Sequence, residues 1–346
     1  MVLHIKRHRL PVILLLVAMV LASVLPFAST SAVSPVDWAN VDRQQLALAG
    51  DSNFLVAEFR GNTCAPIHSR DADRTLAIAS TFKLYVLGEL SRQILNGTAA
   101  WDDEITIRSS LKSMPSGQYA FVADGTQVPV LDLAEAMIWK SDNTATDHLI
   151  DYLGREYVRR AFAAFGHSDP ELNSPLLMTR EMFGIKMTQS SNWMHSWMTA
   201  DDATQFEMLR KDIDPLQLDP AGGWGRWNGP TAIDGIEWFA SASDLCRVTA
   251  ALWTLGAQPG LSQVRDILSG NRGAIGDTVS FPQAGYKGGY ESGVVNMTYV
   301  LAREDGRVFF VSAGFNSDRY NIDTGTAIGY LAPVFTCLAS DACIDR

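Results

Sequence analysis

Ala79-Ser80-Thr81-Phe82-Lys83-Leu84-Tyr85-Val86-Leu87 sets a serine and a lysine three residues apart at the head of an apolar run. Serine suits the first turn of a helix, and the run behind it predicts a buried helix over 81–95. Positions i and i+3 share a helix face, so the Lys83 amine comes within reach of the Ser80 hydroxyl. A lysine desolvated by such neighbours loses basicity and can take a proton from serine, which makes Ser80 the candidate nucleophile. The helix start adds N–H groups and positive potential where an oxyanion would form. Spacing alone decides little, because Ser109 and Lys112 repeat it. An N-cap serine beside a lysine lying along apolar surface gives the same pattern.

Working outward, residues 54–60, the turn Gly61-Asn62 and a return toward Ala77-Ile78 predict an antiparallel hairpin that delivers the chain to Ser80. Helical periodicity then covers 81–95, 130–139, 145–165, 181–199 and 243–255. Beyond Pro282 the period becomes strand-like, with 293–301 turning at Asp305-Gly306 into 308–312, and an apolar helix over 328–338 follows. The first and last elements are expected to build a sheet-plus-helix lobe (about 45–77 and 263–346), with an all-helical lobe (about 78–262) inserted between them.

Two further stretches carry polar chemistry. Ser141-Asp142-Asn143 occupies a turn between two helical segments, where a second serine can relay a proton and an asparagine amide can hold a substrate amide. Lys287-Gly288-Gly289-Tyr290 precedes the strand hairpin and sets a cation beside an open strand edge, where glycines let a substrate backbone approach.

These three stretches, in this order, resemble the Ser-x-x-Lys, Ser-Asp-Asn and Lys-Thr-Gly set of class A β-lactamases and penicillin-binding proteins. The resemblance implies an α+β fold of the β-lactamase/transpeptidase type over about 45–346, with a five-stranded antiparallel sheet flanked by helices and the site between two lobes. By position it makes Ser80 the acylated nucleophile, Lys83 its base, Ser141 the proton relay and Lys287 the holder of a substrate carboxylate. Asn143 would bind the acyl side-chain amide, Gly288 and Gly289 would admit the substrate, and the N–H groups of Ser80 and Tyr290 would form the oxyanion hole.

The chain also departs from the pattern. Gly288 stands where the family places a threonine or serine hydroxyl, with Ser292 as the nearby substitute. The family aims its hydrolytic water with a glutamate four residues before an asparagine; here the register from Asn173 lands on Asp169, with Glu171 as the alternative carboxylate. The segment between Asn173 and Ser243 is longer than in ordinary class A enzymes and resembles a divergent branch that includes the β-lactamase-like protein of clavulanic acid clusters. Its stripe of Met182, Phe183, Met187, Trp193, Met194, Trp197 and Met198 reads either as core or as a lid hinged at Gly184, Gly222 and Gly223. Ser113 to Gly117 is expected at the cleft rim.

Lys6, Arg7 and Arg9 precede an apolar run over 10–28 and small residues ending at Ala32, which reads as a secretory signal over 1–32, with an uncleaved membrane tether as the alternative and a linker over 33–44. The protein is therefore expected outside the cytoplasm. Removing three of the 28 basic residues leaves about 25 against 38 acids, a poor balance for binding nucleic acid. Cys64, Cys246, Cys337 and Cys343 allow three pairings in an oxidising compartment, or leave Cys246 a buried thiol. His68, His148, His167 and His195 lack mutual ligand spacing, so neither a metal nor another cofactor is implied. The expected partner is a small-molecule or peptide acyl donor, a β-lactam or a cell-wall-like peptide.

Overall fold

In the computed structural model of the chain, residues 36–217, 229–340 and 342–343 are described. The signal segment and the proposed hinges Gly222 and Gly223 lie outside these residues.

Strands β1 (Asp51–Arg60), β2 (Thr63–Arg70), β7 (Gln283–Glu291), β8 (Val294–Ala302) and β9 (Val308–Asn316) form one antiparallel sheet in the order β2-β1-β9-β8-β7. Its central strands β8 and β9 are buried along their whole length, so both faces are covered. Alternation divides the side chains: Phe54, Val56, Tyr299 and Leu301 pack under one set of helices, whereas Leu55, Ala57, Val300 and Phe310 join the main core on the other face. Helix α9 (Ala242–Leu255) lies across that second face, against β1, β2 and β9. Helices α1 (Trp38–Leu48), α11 (Thr324–Gly329) and α12 (Ala332–Ser340) cover the first.

A short ladder of β3 (Leu76–Ala77) with β6 (Phe239–Ala240) hands the chain to a 3-10 turn at Ala79–Phe82 and then to α2 (Lys83–Leu95). This helix is buried from Lys83 to Ser91, packed by α3 (Val130–Trp139), α4 (Asn143–Leu153), α5 (Arg155–Ala164) and α9. Tyr85 stacks on Phe162 at 4.0 Å, and Phe82 stacks on Trp238 at 3.9 Å. Strands β4 (Glu104–Thr106) and β5 (Gln127–Pro129) pair as a separate small ladder.

Several expectations are corrected. The supposed linker over 33–44 contains most of α1, which Asp37 caps by accepting from Asn40 N–H, so the folded unit begins before residue 45. The helix expected over 145–165 is two helices, broken at Gly154, whose φ of 88° no helix interior tolerates. The segment over 181–199 is also two, α6 (Thr179–Thr188) and α7 (Ser191–Thr199), the second capped by Ser190. Residues 328–338 split between α11 and α12. Helix α8 (Asp202–Met208) and a π-helical turn over Leu209–Ile213 follow α7, and α10 (Ser262–Ser269) precedes β7. Lys287 does not precede the strands; it lies within the edge strand β7.

The cysteines pair as Cys64–Cys246 and Cys337–Cys343. The free-thiol reading of Cys246 therefore fails. The first bridge ties β2 to α9 across 182 residues of chain, a constraint on the unfolded state worth about 5 kcal/mol in the chain-entropy account. The second closes the C-terminal tail on itself.

Candidate active site

Ser80 sits in the 3-10 turn, and the residue before it, Ala79, has a left-handed φ of 45°. Ser141 has the same kind of backbone, with φ 54°. Non-glycine residues in this region cost about 1–3 kcal/mol and persist where the surroundings over-determine them. At Ala79 the surroundings are identifiable: Ile78 N–H donates to Trp238 C=O at 2.9 Å, and the Trp238 ring supports Phe82. At Ser141 they are the partners of Asp142, whose buried carboxylate accepts from Gln118, Tyr119 and Ala145 N–H at 2.6, 2.9 and 2.9 Å. Asn143 N–H donates to Ser116 C=O at 3.0 Å, which seats the 113–117 loop against the same turn.

Edge strand β7 runs past the nucleophile turn. A Cβ at Gly289 would strike the Ile78 carbonyl oxygen and stand 2.9 Å from Thr81 Oγ1, so glycine is what permits the approach. Ser80, Ser141, Asn143, Lys287, Gly288 and Tyr290 all line one cavity of about 250 Å³, together with Pro115, Ser116, Trp139, Phe183 and Tyr286.

The Ser141 hydroxyl is the hub of the polar set. Lys83 Nζ donates to it at 3.1 Å and Lys287 Nζ at 3.0 Å. Lys83 also donates to Ser141 C=O at 2.8 Å and Asn143 Oδ1 at 2.6 Å, and Lys287 to Gly288 C=O at 2.7 Å. Ser80 Oγ makes no hydrogen bond among the described residues and is left for an incoming atom. Burial brings the Lys83 amine down to about 7, against smaller opposing effects of Asp147 and Asp142. Burial, then the neighbouring Lys83, holds Lys287 well below the ordinary lysine value.

Asp169 and Glu171 are not brought to this cavity. Asp169 is exposed, and Glu171 pairs with Arg159 at 3.4 Å. Asn173 instead bonds the Phe239 N–H and C=O at 2.9 and 3.1 Å, which ties its loop to β6. Ser292 is also absent from the lining. The stripe over 182–198 is largely core: Met182, Met194 and Trp197 are buried, and Gly184 sits inside α6 rather than at a hinge. Only Phe183 of that stripe reaches the cavity. Of the histidines, His148 accepts from Arg108 N–H and donates to Thr144 C=O, an ordinary bracing role.

One contributor escaped the sequence reading. Asp147, one helical turn beyond Asn143 on α4, accepts from the Thr179 and Arg180 N–H groups at 2.7 and 2.9 Å and from the Thr179 hydroxyl at 2.8 Å. It thereby fixes the start of α6, and so Phe183, against the site. Its burial raises the carboxyl to about 7. The i+4 spacing from Asn143 was the available signal.

Residues 53–214 match the family model described as the Beta-lactamase enzyme family. Over these residues the chain is similar to that family. Among solved structures it resembles a β-lactamase from Sphaerobacter thermophilus DSM 20745 (19% identity, TM-score 0.59, covering 90% of this chain and 100% of that one). It also resembles a β-lactamase from Chitinophaga pinensis DSM 2588 (11%, 0.60, 88% and 98%). A third is a point mutant of PBP-A, solved as an acyl-enzyme complex with penicillin G (15%, 0.56, 87% and 97%). No curated protein matches. At these identities the structural likeness establishes the fold, and the β-lactamase-like five-stranded sheet is the one expected from the motifs. Among the described residues no helix is long and apolar enough to cross a membrane.

Proposed function

We propose that this β-lactamase-like chain is an exported serine hydrolase that forms an acyl-enzyme at Ser80 on an amide or ester, with slow turnover of β-lactams. The observation that carries the reading is the Ser141 hydroxyl held between the Lys83 and Lys287 amines at the wall of the cavity that Ser80 lines. Neutral Lys83 takes the Ser80 proton as Oγ bonds the carbonyl carbon. The developing oxyanion is received by the N–H groups of Ser80 and Tyr290. Lys83 then returns a proton through Ser141 to the leaving nitrogen or oxygen as its bond to the acyl carbon breaks. Asn143, whose Oδ1 is engaged by Lys83, retains its amide N–H₂ for the acyl side chain.

Slow turnover is supported by the lining: among the described residues it contains no carboxylate that could aim a water at the ester. Intact-mass spectrometry after incubation with a fluorescent penicillin tests the reading. A single adduct that persists for many minutes and vanishes in Ser80→Ala supports it. A transient adduct marks an efficient lactamase, and no adduct marks a protein that keeps the fold without the chemistry.

A further inference from the structure

The leaving-group end of the cavity is closed by two tyrosines. Tyr286, Gly288 and Tyr290 alternate along one face of β7, and the Tyr286 and Tyr290 hydroxyls hydrogen-bond to each other across the glycine. A Cβ at position 288 would run into the Tyr286 hydroxyl and lie 2.6 Å from Tyr286 Cζ and 2.7 Å from Tyr290 Cε2. The space a residue-288 side chain would fill is thus held by a phenol pair. Tyr286 is braced from below by Tyr299, ring centroids 4.6 Å apart. Tyr290 is 42% exposed, and partial desolvation pushes its pKa up to about 12.

Charge at this end is scarce. Among the described residues no arginine lines the cavity, and its two lysines are Lys140 and Lys287. Lys140 is exposed on the turn after α3, and Lys287 is buried with its amine on Ser141 Oγ and Gly288 C=O. Burial, then the neighbouring Lys83, lowers the Lys287 amine well below the ordinary lysine value. A carboxylate entering here would meet the tyrosine pair and would exchange its hydration for a phenol and an amine already engaged by Ser141 Oγ and Gly288 C=O, an unfavourable transfer. The rest of the wall is mainly apolar and aromatic, Pro115, Ile138, Trp139 and Phe183 with the two tyrosines, interrupted by the uncharged polar side chains of Ser116 and Asn271.

We infer that the site favours acyl donors whose leaving-group side is uncharged and apolar or aromatic, and that the Tyr286–Tyr290 pair over Gly288 slows acylation by donors bearing a carboxylate there. This rests on the Ser80 acyl-enzyme reading and narrows it away from peptides ending in a free carboxylate.

Benzylpenicillin and its methyl ester differ only at that carboxylate. The Ser80 adduct should form at least tenfold faster with the ester, measured by intact mass over time. Gly288→Thr, which pushes the phenols apart, and Tyr290→Ala, at an exposed position that threatens folding least, should each move the acid-to-ester rate ratio tenfold or more toward the acid. Faster adduct formation with the acid in the wild-type chain, or a ratio unmoved in both variants, overturns the inference. Should Ser80 take neither adduct, the acyl-enzyme reading fails by itself. Calorimetry of both compounds on Ser80→Ala then decides the inference separately. Tighter binding of the ester sustains it; binding of the acid alone, tighter binding of the acid, or binding of neither overturns it.

Discussion

Lys83 and Lys186 are both buried lysines near the nucleophile turn, and they are held in opposite ways. Lys83 has neutral acceptors around its amine, namely a backbone carbonyl, a hydroxyl and an amide oxygen, and carboxylates act on it only from a distance. Lys186 rests on two carboxylates, Glu291 at 2.7 Å and Glu237 at 3.2 Å, with all three side chains shut away from water. Burial first, and then Glu237, raises the Glu291 carboxyl well above the usual range, while Lys186 opposes that shift. Glu237 also accepts from its neighbour's backbone, Trp238 N–H, at 3.0 Å, and Trp238 supports Phe82 behind Ser80. A buried lysine without a counter-ion in contact becomes a base; one wedged between acids becomes a fastener.

That contrast predicts a double dissociation. Lys83→Met should slow Ser80 adduct formation by about 10²–10⁴-fold, the worth of a positioned general base. Stability should change by no more than about 1.5 kcal/mol in urea melts, because removing a desolvated amine offsets the acceptors left without a donor. An adduct rate within tenfold of wild type would move the base elsewhere. Lys186→Met should do the reverse, costing about 3–5 kcal/mol of stability by stranding two acids while leaving the adduct rate of folded protein nearly unchanged. Replacing Lys186, Glu237 and Glu291 together by apolar residues should recover most of that loss. If Lys186→Met melts like the wild type, the cluster is not a fastener.

A subtler effect is the pH profile. Lys83 works as a base only when neutral, so the adduct rate should be low below its pKa of about 7 and climb to a plateau above it. Asp147 is the first of the charges that oppose the burial effect by raising that pKa. Asp147→Asn should therefore move the midpoint to lower pH, by an amount read directly from rates between about pH 5 and 9. A midpoint that stays fixed, or rises, would show that Asp147 does not act on Lys83 and serves only to hold α6.

The sequence revealed the parts of this comparison unequally. Ser80, Lys83, Ser141, Asn143 and Lys287 were legible because each stands in a short motif whose spacing is set by one helix turn, one tight turn or one strand. The hairpin β1–β2 and strands β8 and β9 were legible from alternation and from turn residues. The Lys186 cluster was not, since its members lie 51 and 105 residues apart in the chain and nothing local marks them. The same holds for Cys64–Cys246, separated by 182 residues. Helix α1 was missed for another reason: its sequence is polar and buries little beyond Val41 and Gln45, so periodicity said less than the Asp37 cap. Tyr286 was overlooked because a strand was not expected to begin until after Tyr290, which hid its i+4 relation to that residue on one face of β7.

The smallest expected effect falls on the loop that the family register singled out. Counting from Asn173 assigned water activation to Asp169, with Glu171 in reserve, and a catalytic carboxylate moved by about 1 Å can change a rate on the order of 10²-fold. The displacement here is larger in kind: neither side chain lines the cavity, Glu171 faces Arg159, and Asn173 is spent on the backbone of β6. A group outside the cavity can alter deacylation only by loosening the turn behind Ser80, and neither exposed carboxylate is joined to that turn by a hydrogen bond. Asp169→Asn and Glu171→Gln should therefore each change the decay of a penicillin adduct by less than about twofold, the range expected for surface substitutions of up to about 0.5 kcal/mol. The decay is followed by mass after unbound penicillin is removed. A tenfold slowing in Asp169→Asn alone would mean that this loop closes over the acyl-enzyme once it forms, and would restore the register that the geometry argues against.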